Sequence, residues 1–215
     1  NGVLPLDDRV AERFNSDMAG RPVLVGGNSQ VLANGMGGLN ENAVLNIKNK
    51  SHSITAQVMI PEGATANGVI LSQGGIAGGW MLYIKAGKLT YLYNLCGLRE
   101  DVITSTEGLI AGTHQVRMEF VYDGGGLAKG GTVTLFIDGK AVGNGRLEAT
   151  LPIVFSADET SDVGVKHGSP MTPDMPVGKN TFNGTVNLIV LETSGESNDH
   201  LLDREQVLNM IMARQ

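Results

Sequence analysis

Two runs of alternating apolar residues, separated only by Ala86-Gly87, constrain this chain more than any other feature. In the first, Trp80, Leu82 and Ile84 alternate with Met81, Tyr83 and Lys85; in the second, Leu89, Tyr91 and Tyr93 share one parity. A period of two places successive side chains on opposite faces of a pleated strand, and a link this short, ending in glycine, suits the tight turn of an antiparallel hairpin. Residues 68–94 therefore read as sheet: an apolar run over 68–73 suited to a central strand, a GGIAGG loop, then the hairpin. The stretch carries the only tryptophan and no evident chemistry.

The same period recurs on both sides. Ile54, Ala56, Val58 and Ile60 share one face opposite Ser53, Thr55 and Gln57, in a run that ends at Pro61. His114, Val116, Met118, Phe120 and Tyr122 alternate with Gln115, Arg117 and Glu119. Val133, Leu135 and Ile137 alternate with Thr132, Thr134 and Phe136 and stop at Asp138-Gly139, the pair a type I′ turn favours because both central residues need positive φ. Residues 141–146 then form the return strand, and residues 185–192 form a last strand after Asn183-Gly184. About ten to twelve strands with turn signals roughly every 8–12 residues predict an all-β fold, a concanavalin A-like or jelly-roll antiparallel β-sandwich. Glycine, 30 of 215 residues, stands at about twice its usual ~7%, as many tight turns require.

Three parts are expected. Residues 1–38 lack a clean period and read as a connecting segment; residues 39–195 form the sandwich. In residues 196–215, Asp203 and Gln206 resemble a capping box ahead of an apolar stripe (Val207, Leu208, Ile211, Met212), predicting a short amphipathic C-terminal helix. The start at Asn1-Gly2-Val3 is that expected of an excised domain or processed product.

A net charge of −6, with no basic run longer than two, argues against nucleic acid and anionic membrane as partners. No apolar run approaches the ~18 residues of a membrane span. The single cysteine, Cys96, excludes an internal disulfide and a multi-cysteine metal site and reads as a buried structural thiol. The stretch DGGGLAKGGT (123–132) fails as a phosphate loop, because Lys129 precedes Gly130 and a strand follows in place of a helix. His52, His114, His167 and His200 have no metal-ligand spacing. No strand carries the E-x-D-x-x-E triplet of sandwich glycoside hydrolases; the nearest pair, Glu119 and Asp123, does not match it. Two candidate sites remain. Asp158, Glu159 and Asp162 form an acidic loop cluster with oxygen ligands suited to Ca²⁺. Trp80, Tyr83, Tyr91 and Tyr93 could form an aromatic platform for a sugar, although their spacing suits sheet packing equally well.

Several blocks in order (NGVLPLDDR at 1–9, KNKSHSITAQVMIP at 48–61, residues 68–94, HQVRMEFVYDGGGLAKGGTVTLFIDGK at 114–140 and TFNGTV at 181–186) resemble the C-terminal region of long bacterial arylsulfatases. The resemblance covers most of residues 1–192. It implies a non-catalytic accessory sandwich following a sulfatase catalytic domain, which would be its partner and whose access for a glycan or sulfated substrate it would shape. The sequence leaves the compartment open, with a periplasmic or secreted setting favoured over a cytoplasmic one. The parent enzyme class uses a formylglycine made in a C/S-x-P-S-R motif beside Ca²⁺. No such motif occurs here, so no catalytic residue carries over, and the fragment is expected not to be an enzyme. The alternative is a lectin-like carbohydrate-binding module. The chain departs from the family at Lys166-His167, where an Arg-Asp pair is expected, and at Met175, where a tyrosine is expected.

Overall fold

The computed structural model describes residues 24–156 and 158–195; the expected C-terminal helix lies outside the described residues. Within them the period-two pattern yields strands β1 (Ser29–Ala33), β2 (Ser51–Ile60), β3 (Gly68–Gly75), β4 (Gly78–Lys85), β5 (Lys88–Leu95), β6 (Arg99–Gly108), β7 (Gly112–Tyr122), β8 (Lys129–Ile137), β9 (Lys140–Ala149), β10 (Ser161–Val163) and β11 (Thr185–Ser194). They form two antiparallel sheets, a six-stranded one in the order β1-β11-β2-β7-β8-β9 and a five-stranded one in the order β10-β3-β4-β5-β6. The predicted jelly-roll sandwich is the fold.

Three strands depart from the sequence expectation. β1 lies inside the stretch expected to be a connecting segment, yet it pairs with β11 from Ser29–Glu192 to Ala33–Leu188 and buries Leu32. β6 is a mostly polar edge strand whose apolar signal is confined to a few residues such as Ile103. β10 is a three-residue strand recruited by β3 from a polar loop. Cys96 is half-buried, not buried, and sits at the β5–β6 turn with φ +59°.

The inner faces meet around Trp80, which has no exposed surface. Its indole Nε1 donates to Gln73 Oε1 (3.1 Å), and its ring stacks on Tyr91 with centroids 6.4 Å apart. The Tyr93 hydroxyl accepts the Leu151 amide (2.7 Å), tying a crossing strap to the core. The GGIAGG loop is the bend that brings Trp80 into this position: Gly79 has φ +146°, and a Cβ there would stand 2.1 Å from Gln73 O. At the far edge, a Cβ on Gly145 would stand 2.4 Å from Ile103 Cγ1, so glycine lets β9 close against β6.

His52 points inward from β2 against Phe120, with ring centroids 5.1 Å apart. Its Nδ1 lies 3.2 Å from the Lys50 carbonyl and must donate to it, which leaves the unprotonated Nε2 without a partner among the described residues. His52 also lines a cavity of about 10 Å³ between Tyr91, Tyr93 and Phe155. Burial lowers its pKa to about 4 from the ordinary 6.5.

Two outcomes follow for stability. Trp80→Ala should cost about 3–5 kcal/mol in denaturant unfolding, as for other buried Trp truncations. Because the unfolded chain takes up the His52 proton first, stability is fully present above pH 6.5 and declines as pH falls from 6.5 towards about 4. The loss should be on the order of 3 kcal/mol, and His52→Gln should remove that share of the acid sensitivity when urea midpoints at pH 7 and pH 4.5 are compared.

Candidate functional site

The predicted aromatic platform does not exist as a surface. Trp80, Tyr91 and Tyr93 face the inner layer, and Tyr83 faces outward but is covered. Burial raises the phenol pKa values of Tyr91 and Tyr93, so both remain protonated. The cover over Tyr83 comes from the long segment between β10 and β11. Its Met171 and Met175 pack on Val69, Met81, Tyr83 and Leu92, the outward residues of β3, β4 and β5. Asp174 of the same segment forms an ion pair with Lys85.

The acidic cluster anchors this covering segment. Asp158 is exposed. Lys166, fully buried, donates to Glu159 Oε2 (3.0 Å) and to the His167 carbonyl. Glu159 Oε1 accepts the Ser169 hydroxyl (2.6 Å) and amide (3.0 Å). Asp162 accepts the amides of Gly38 (2.9 Å) and His167 (3.0 Å) and the His167 imidazole (3.0 Å). Burial would raise both carboxyls, but these donors outweigh it and hold them below the usual range. With a lysine ammonium on one acid and two amides on the other, the set does not fit Ca²⁺. Among the described residues no group of three or more His, Cys, Asp or Glu is placed to hold a metal.

The six-stranded sheet is different. Along β2, β7 and β11 the inward residues are buried while most of their outward neighbours are half-buried or exposed, Ser53 being covered. Register aligns Glu192 with Ser53 and Ser53 with Glu119 in one row, and Val190, Thr55, Arg117 and Phe136 in the next. At the end of this face opens a cleft of about 330 Å³ lined by Ser51, His52, Ser53, Arg117, Glu119, Phe120, Val121, Glu192, Thr193 and Ser194. Arg117 stands at one end of it, beside the Ser53, Glu119 and Glu192 row. Its Nε donates to Glu119 Oε1 (2.9 Å) and Nη2 lies 2.7 Å from the same oxygen in an ion pair, Nη1 donates to Thr55 Oγ1 (3.2 Å), and Nη1 lies 3.9 Å from Glu192 Oε2. Hydroxyls, a fixed guanidinium, two half-exposed carboxylates and the exposed Val121 can bind a polar ligand that also has an apolar side; nothing here resembles a nucleophile with its base.

Sequence reasoning placed Arg117 and Glu119 on a polar strand face but not in a site. The missing signal is long-range: β11 must pair with β2 before Glu192, 73 positions beyond Glu119, can reach the same cleft. His114 and the glycine-rich loop have structural roles; His200 lies outside the described residues. His114 contacts Asp138 Oδ2 (2.7 Å) and the Ile110 carbonyl (3.1 Å), and the Tyr122 hydroxyl folds the 123–132 loop by donating to Gly126 O (2.7 Å).

Fold and cleft together define an antiparallel jelly-roll sandwich with a polar groove on the open face of its six-stranded sheet. No family model and no curated protein matches the chain. Among solved structures it is similar to the CBM40 domain of Ruminococcus gnavus IT-sialidase bound to α2,3-sialyllactose, at 13% identity and TM-score 0.51, covering 84% of this chain and 97% of that one. It also matches domains LG4-5 of the mouse laminin α1 chain at 15% identity and TM-score 0.45, covering 85% of this chain and 42% of that one. No helix among the described residues is long and apolar enough to cross a membrane.

Lys166→Ala should destabilise the domain by about 3 kcal/mol, because it removes the cation paired with Glu159 Oε2 in a largely buried position, leaving that carboxylate only the Ser169 donors. The double variant Lys166→Met/Glu159→Met should recover most of that loss in thermal or urea unfolding.

Proposed function

We propose that this sandwich is a non-catalytic carbohydrate-binding module whose ligand lies in the cleft beside Arg117. The observation that carries the reading is the cleft itself, with Arg117 held between Glu119 and Glu192, hydroxyls on both flanks and Val121 exposed beside them. Sugar recognition needs such an arrangement: directional polar groups for the hydroxyls and an apolar patch for the C–H face. The fold likeness to the CBM40 domain, solved with a bound glycan, supports it. Phe120 and His52 line the cleft but are buried, so no exposed ring among the described residues offers a stacking platform there and affinity should be modest, with Kd on the order of 1 mM. Glu159 and Asp162 spend their oxygens on protein donors, so chelating calcium should not change that affinity.

Isothermal titration against a saccharide panel tests this. Arg117→Ala, folded by circular dichroism, should weaken the best ligand at least about tenfold. The absence of binding to every saccharide at about 10 mM would remove the reading.

The ordered blocks shared with arylsulfatase C-terminal regions favour a compatible second statement: the module accompanies a sulfatase catalytic domain. A C/S-x-P-S-R motif encoded upstream of Asn1 would support it. A different catalytic domain there would exclude it.

A further inference from the structure

The cleft's electrostatics go further than its shape, on the reading of it as a glycan site. We propose that it selects uncharged saccharides and rejects those bearing a carboxylate or sulfate. Three charged side chains line it: Arg117, Glu119 and Glu192. Every nitrogen of the guanidinium already has a protein partner, two of them on Glu119 Oε1 and the third on Thr55 Oγ1 with Glu192 beyond. The second carboxylate leaves the lining with one excess negative charge, and His52, neutral behind it, adds no cation.

An incoming anion would meet a guanidinium whose charge Glu119 already balances, and would sit beside Glu192 as a further carboxylate with no cation of its own, a like-charge placement that discriminates against the wrong partner. A neutral sugar meets no such obstacle. Among the described residues, Glu119 Oε2 and Glu192 Oε1 carry no hydrogen bond and stand at the half-exposed rim, where each can accept a sugar hydroxyl. Charge-assisted bonds from hydroxyls to carboxylates are short and strong, and two adjacent hydroxyls can share one carboxylate. Ser51, Ser53, Thr193 and Ser194 supply further groups that both donate and accept. Exposed Val121 offers the apolar contact for the opposite side of the ring. The cleft is thus built as an acceptor of hydroxyls, with Arg117 serving to orient its carboxylates. The acidic sugar in the CBM40 complex belongs to that protein's site and not to this one.

Matched pairs test the inference by titration of the whole chain: lactose with sialyllactose, galactose with galacturonic acid, and N-acetylglucosamine with its sulfate ester. Each neutral member should bind at least tenfold more tightly than its acidic partner. The Glu119→Gln/Glu192→Gln variant should lose affinity for the neutral ligand and narrow or invert the preference. Equal or tighter binding of the acidic members to the unaltered chain would overturn the inference while leaving a carbohydrate module in place. Binding of neither member in any pair would overturn the module reading and this inference with it.

Discussion

Burial of β3, β4 and β5 on both faces is the constraint from which the rest of this molecule follows. One face meets the six-stranded sheet across the Trp80–Tyr91 layer. The other carries Val69, Met81, Tyr83 and Leu92, apolar surface that a solvent-facing sheet would not tolerate, and a chain segment has to cross it. That crossing closes one of the two outer surfaces on which a sandwich could bind a ligand. The open face of the other sheet is therefore where a site can be.

Holding the cover in place takes charge as well as grease. The Lys166 ammonium is the cation between Glu159 and the His167 carbonyl, and Asp162 gathers two amides and an imidazole. A buried lysine is expensive unless its charge is paired, and Glu159 Oε2 together with the His167 carbonyl supplies that pairing. The same residues that suggested calcium in a loop of unknown shape are those least able to bind it once the loop is folded.

Much of the fold was legible because period-two patterning is local. β2, β4, β5, β7 and β8 follow directly from alternation, and Asp138-Gly139 and Ala86-Gly87 mark their hairpins. β1 and β10 were not legible, since each is a strand only by virtue of a partner far along the chain, β11 and β3. The aromatic residues could be read as packing or as a ligand platform for a related reason, and packing is what the fold shows: Trp80 and Tyr83 have opposite parity, and either face of β4 could have been open until the cover was known. Met81 and Leu92, apolar on the face opposite Trp80, were the signal that neither was. The cleft was half legible, in the polar parity of Arg117 and Glu119, with Glu192 delivered by topology.

The central claim is that ligand binding belongs to the open face of the six-stranded sheet and not to the aromatic hairpin. Amide chemical-shift mapping with a neutral saccharide tests it most directly. The account predicts perturbations centred on Ser53, Arg117, Glu119, Glu192 and Thr193, with the Trp80 indole resonance unmoved. Perturbations centred on β4 and β5, or a shifted Trp80 indole with a silent β7, would contradict it.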